Sequence, residues 1–101
     1  MTDVVNNREK MRFETNIDGV VAELIYQLHA GRLYLIHTEV PSELERRGLG
    51  GELVTAAIDD ADAHGLIVVP YCPFAREWLE RHPDVAGRVT IEWPTTSARQ
   101  S

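Results

Sequence analysis

The chain has 101 residues, 44% hydrophobic and 26% charged, with a formal net charge of −6 at pH 7. That length suits one domain able to bury roughly two-thirds of its unfolded surface, and no apolar run approaches the ~20 residues of a membrane span. The acidic balance argues against nucleic acid or an anionic membrane as partner, and the single cysteine, Cys72, excludes an internal disulfide framework or a multi-thiolate metal centre.

Residues 1–7 read as a flexible N-terminus lacking the basic-then-apolar character of a secretory signal, so a cytoplasmic location is expected. A single domain is expected over 8–93. Lys10–Glu14 alternates Met11 and Phe13 on one face and predicts a first strand. Asn16–Gly19 supplies turn residues, Val20–Leu28 is β-branched and aromatic, and His29–Gly31 turns the chain into a third strand over Arg32–Val40. These strands predict an antiparallel meander. Leu49, Leu53, Ala56, Ala57 and Ala61 then recur at helical spacing, with Gly65 placed as the C-terminal cap. Leu66–Val69 is an apolar run expected to form a strand covered on both faces. Pro73–Arg81 predicts a second helix with Phe74 and Trp78 on its buried side, stopped by Pro83. Arg88–Trp93 alternates as a possible last strand, and 94–101 reads as a flexible polar tail. The fold class is α/β, with a mixed, mostly antiparallel sheet flanked by helices.

The segment Glu45-Arg46-Arg47-Gly48-Leu49-Gly50-Gly51 stands where a strand gives way to a helix. There the first helical N–H groups lack partners and the positive end of the helix dipole lies behind them. Glycine permits close approach of an anion, and arginine brings charge and a planar donor fork. A phosphate-bearing ligand suits such a turn. A dinucleotide fingerprint would need a third glycine near Leu53, and a P-loop would need Gly-Lys-Ser/Thr; both are absent. The plainer alternative is a loose loop, with Ser42 and Glu45 forming a capping box for a separate helical turn.

Strand, Val40-Pro41, a short turn and then Gly48-Leu49-Gly50-Gly51 opening a helix resembles the acetyl-coenzyme A loop of the GNAT superfamily of N-acetyltransferases. With His37-Thr38-Glu39-Val40-Pro41, Val69-Pro70-Tyr71-Cys72-Pro73-Phe74 and Arg81-His82-Pro83, the chain is similar to the small, stand-alone acetyltransferase-like branch of that superfamily. The resemblance spans about residues 10 to 85. It implies a GNAT-like fold and transfer of an acetyl group from acetyl-coenzyme A to a primary amine on a protein or small molecule, with no metal, in a monomer or weak dimer. The cofactor's diphosphate would rest on Gly48, Leu49, Gly50 and Gly51. Its pantetheine arm would pair with the main chain of Thr38, Glu39 and Val40. Where the superfamily has Gln or Arg this chain has Glu45, so Arg46 or Arg47 would supply the charge.

Cys72 directly precedes Pro73, which favours the first position of a helix. A thiol at or beside that N-cap is either activated by the dipole or simply packed. His37 is either an ordinary strand histidine or, as the resemblance implies, a partner of Cys72 at the acetyl end of the cofactor. In that arrangement His37 is the base for the amine and Cys72 protonates the departing thiolate, or Cys72 takes the acetyl group itself. Two other readings compete: a module that holds coenzyme A or an acyl-coenzyme A without turnover, and a purely structural domain.

Overall fold

The computed structural model describes residues 3–94. Its sheet has five strands in sequence order: β1 (Val5–Asn7), β2 (Arg12–Ile17), β3 (Val20–His29), β4 (Arg32–Glu39) and β5 (Ile67–Pro70). The first four are antiparallel, and β5 joins β4 in parallel after the helical crossover α1 (Leu49–His64). Helices α2 (Pro73–Arg81) and α3 (Pro83–Ala86) follow. This is the mixed, mostly antiparallel α/β architecture that the sequence predicts.

The β2–β3 and β3–β4 hairpins each close with two left-handed residues, Asp18–Gly19 and Ala30–Gly31. That is the turn geometry whose twist matches the flanking strands. Asn16 therefore ends up inside β2, where its side-chain oxygen accepts the Gly19 N–H at 2.9 Å. Val5–Asn7, read from the sequence as a flexible end, pair with Glu14–Arg12 as β1, and Asn6 accepts the Tyr26 hydroxyl at 2.7 Å.

All the helices lie on one side of the sheet. Phe13, Ala22, Leu24, Leu33 and Leu35 meet Leu49, Leu53, Val54, Ala57, Ile58 and Leu79 in a single core. Gly65, left-handed at φ +66°, closes α1 as expected. Val68 and Val69 of β5 are both buried. The other face of the sheet carries Arg12, Glu14, Glu23, Tyr34 and His37, and no helix packs on it among the described residues.

Three local expectations change. Ser42–Leu44 is a single 3₁₀ turn without a side-chain cap, so no capping box forms; the Glu45 N–H instead donates to the Ser42 carbonyl. Pro83 does stop α2, yet it also opens α3, because the first helical position needs no N–H. Within Arg88–Trp93 only Ile91 bridges Val68, so this segment is an edge contact rather than a strand. Of the predicted tail, 95–101 lie outside the described residues.

Candidate functional site

The site is set by an irregularity in β4. Ile25 of β3 pairs with His37, but the next residue, Tyr26, pairs with Leu35. Ile36 is thus an extra residue, a β-bulge that resets the alternation of everything after it. Leu33 and Leu35 face the core. Beyond the bulge Thr38, opposite Leu24, takes the helix side, while His37 and Glu39, opposite Ile25 and Glu23, take the open face. The same point ends pairing with β5, whose last partner on β4 is Leu35. The Cys72 N–H donates to the Leu35 carbonyl at 2.8 Å, and beyond it the two segments part. Residues 36–40 therefore expose one main-chain edge, the arrangement that accepts an extended amide-bearing ligand as an added strand.

Beyond that edge the chain makes its 3₁₀ turn and enters α1 at Gly48, left-handed at φ +72°. Glu52 N–H donates to the Gly48 carbonyl at 3.2 Å, the first bond of the helix. The N–H groups of Leu49, Gly50 and Gly51 precede it and have no side-chain cap. A groove of about 490 Å³ runs past them, lined by Thr38, Val40, Leu44, Glu45, Arg46, Gly48–Gly51, Phe74 and Trp78. Arg46 borders it and Arg47 does not. Arg46 is also held at φ +74°, a conformation that disfavours a side chain.

Phe74 does not bury itself in the core as its spacing suggests, and Trp78 is only partly buried against it. Ala75 and Leu79 are the buried residues of α2, and Phe74 is 42% exposed. Instead the two rings lie on the first turn of α1. A Cβ on Gly50 would stand 2.5 Å from Phe74 Cζ, and one on Gly51 would stand 2.6 Å from Trp78 Nε1. Two adjacent glycines facing two aromatics four residues apart were the sequence signal for this close approach, and helix amphipathicity alone misread it.

Cys72 occupies the N-cap of α2, only 2% exposed, with its sulfur 3.2 Å from the Thr38 hydroxyl. Thr38 also lines the groove, so the thiol lies directly behind one of its walls. His37 is not gathered to this point. On the other face its Nε2 lies 2.8 Å from a Glu39 carboxylate oxygen, and both side chains are exposed. The sequence-expected pairing of His37 with Cys72 thus becomes two separate pairs, Thr38 with Cys72 and His37 with Glu39.

The open face is strongly acidic here. Glu14, Glu23 and Glu39 stand in one row across three strands. Arg12 donates to both Glu14 and Glu23, the latter at 2.6 Å. The Arg12 hydrogen bond holds the Glu14 carboxyl below its ordinary range, helped by Asn7 and opposed by burial. Beside this row Tyr34 and Tyr71 stack with centroids 5.9 Å apart, Tyr71 half exposed. No cluster of potential metal ligands occurs among the described residues, and no described helix is long and apolar enough to cross a membrane.

Comparison with known proteins fits this geometry. A GCN5-like protein from Staphylococcus aureus, solved by NMR and provisionally described as an N-acetyltransferase, matches with a TM-score of 0.71 over 98% of this chain and 96% of its own, at 20% identity. That likeness establishes the fold. Residues 12–88 match the profile of the GCN5-related N-acetyl-transferase family. This span holds the bulged strand, the glycine turn and Cys72, and the chain belongs to that family.

Proposed function

We propose that this protein binds acetyl-coenzyme A in the groove between the free edge of β4 and helices α1 and α2, and transfers the acetyl group to a primary amine. The observation that carries this reading is the set of uncapped N–H groups at Leu49, Gly50 and Gly51, opening onto a groove whose Thr38 wall touches the Cys72 sulfur. Amides at a helix N-terminus suit a diphosphate. Arg46 adds charge, offset in part by Glu45 on the same wall. The main chain of Thr38, Glu39 and Val40 takes the pantetheine arm.

The parting of β4 from β5 beyond Leu35 supports a thioester seated in the gap, with Cys72 on the helix side and His37 on the open side. The amine approaches over the acidic face, which favours a cationic acceptor. His37, held by Glu39, takes the ammonium proton on its other ring nitrogen, and the freed nitrogen attacks the thioester carbon. As the C–S bond breaks, the Cys72 thiol gives its proton to the departing sulfur, the attacking nitrogen sheds its second proton to leave the neutral amide, and solvent carries that proton back to Cys72.

The test combines calorimetric titration of acetyl-coenzyme A with release of free coenzyme A thiol in the presence of a diamine. Binding and amine-dependent release are expected. Binding without release assigns a holding module, the reading that Glu45 in the groove favours. No binding at millimolar ligand refutes both.

A further inference from the structure

The Arg81-His82-Pro83 motif has no part in the chemistry above, yet it fixes the position of one groove residue. His82 ends α2, its N–H donating to the Leu79 carbonyl at 3.2 Å. Its ring turns back along the helix, where Nδ1–H donates to the Trp78 carbonyl at 2.7 Å. The imidazole then stacks on the Trp78 indole, with centroids 3.8 Å apart and planes within 12°. One face of the indole is thereby fixed.

The indole edge meets Gly51. Of the three atoms nearest to a Cβ built there, the closest at 2.6 Å is Nε1, the one polar atom of the ring. The indole is half-buried rather than buried, and among the described residues its N–H has no acceptor in the protein, so it is open to solvent or a ligand. Trp78 also lies where two cavities join. The main groove and a second hollow along the outer side of α1, by Glu52, Thr55 and Asp59, share Gly48, Gly51 and Trp78. A ligand passing from one to the other runs along Trp78 and the first turn of α1.

We propose that the Trp78 indole N–H is a further donor to the diphosphate of a coenzyme A-type ligand, and that His82 is the positioning residue that holds it over Gly51. This rests on the proposed groove for acetyl-coenzyme A. A rigid donor beside the amides suits an anion because no side-chain order has to be gained on binding. Arg46, by contrast, is an exposed side chain whose ordering on binding costs rotamer freedom.

The experiment is an amide and indole proton–nitrogen NMR titration of the whole chain with coenzyme A and, separately, with pantetheine, which lacks the diphosphate. The chain has two tryptophans, so Trp93→Phe assigns the Trp78 indole signal. Coenzyme A is expected to move that signal downfield together with the Leu49–Gly51 amides, and pantetheine to leave it in place. Trp78→Phe is expected to weaken coenzyme A binding about tenfold, as for loss of one hydrogen bond to a charged group, without changing pantetheine binding. His82→Ala should shrink the indole shift, and His82→Phe, which keeps the stack, should restore it. If the amides respond while the indole stays still, or pantetheine moves it equally, the assignment of Trp78 is overturned and the groove stands. If coenzyme A moves neither, both fall. The wild-type titration decides even if a variant fails to fold.

Discussion

The ring of Phe74 fills the place where a side chain on Gly50 would begin, with Cζ 2.5 Å from a Cβ built there. Trp78 does the same over Gly51. The glycines therefore serve two ends at once: they let α2 dock against the first turn of α1, and they leave the amides of that turn open to the groove. The two aromatics differ in freedom. Phe74 is 42% exposed at a ring end able to swing outward, whereas Trp78 is held by the His82 stack.

That difference predicts unequal responses to alanine. Gly50→Ala gains helix propensity of up to about 1 kcal/mol against a ring that moves aside, so its stability should stay within about 1 kcal/mol of wild type. Gly51→Ala meets a fixed indole, where overpacking costs about 1–3 kcal/mol. Urea unfolding of the two variants should place Gly51→Ala clearly lower, and equal midpoints would contradict the stacked arrangement.

Arg46 and Arg47 separate for a geometric reason: Arg46 borders the groove and is held at φ +74°, a conformation glycine adopts without strain. Arg46→Gly should raise stability by up to about 1–2 kcal/mol while weakening acetyl-coenzyme A binding roughly tenfold, the size of one charge-assisted contact. Arg47→Ala should change affinity less, and only at low salt. Calorimetry at two ionic strengths distinguishes them.

Cys72 is 2% exposed and faces the Thr38 hydroxyl. A buried thiol in that position favours proton donation over attack on the thioester. Intact-mass measurement after incubation with acetyl-coenzyme A alone should therefore show no acetyl adduct. Cys72→Ala should lower kcat by about 10²-fold, the lower range for a proton-transfer group, with KM for acetyl-coenzyme A little changed. A stable adduct on Cys72 would reverse the assignment.

Stability should fall in acid for two identifiable carboxyls. The Arg12 hydrogen bond lowers Glu14, and the two-pronged Arg32 contact, 2.8 Å at each oxygen, lowers Glu92. Both folded values lie below the ordinary 4.5. Their stabilisation is therefore complete above that pH and disappears as pH falls through the folded values. Glu92→Gln should flatten part of this acid limb of the unfolding midpoint and leave the most acidic points unchanged.

Much of the fold was legible because it is local. Positive-φ turn residues at Asp18–Gly19 and Ala30–Gly31, the apolar spacing of α1 with Gly65 behind it, and Pro73 at the head of α2 each encode their element within a few residues. The glycine turn was legible for the same reason, since uncapped amides follow from any helix that starts there. Only the assembled sheet decided which side chains meet. Nothing in Tyr34-Leu35-Ile36-His37 marks a bulge, which arises from how β4 pairs with β3. That one extra residue turns Thr38 toward Cys72 and His37 away from it. Likewise the Phe74–Trp78 spacing defines a helical face but not its partner. The packing of α2 on α1 made that partner chiefly a pair of glycines at the groove, with Trp78 only partly against the core, because a bare backbone is the one surface two rings can approach so closely.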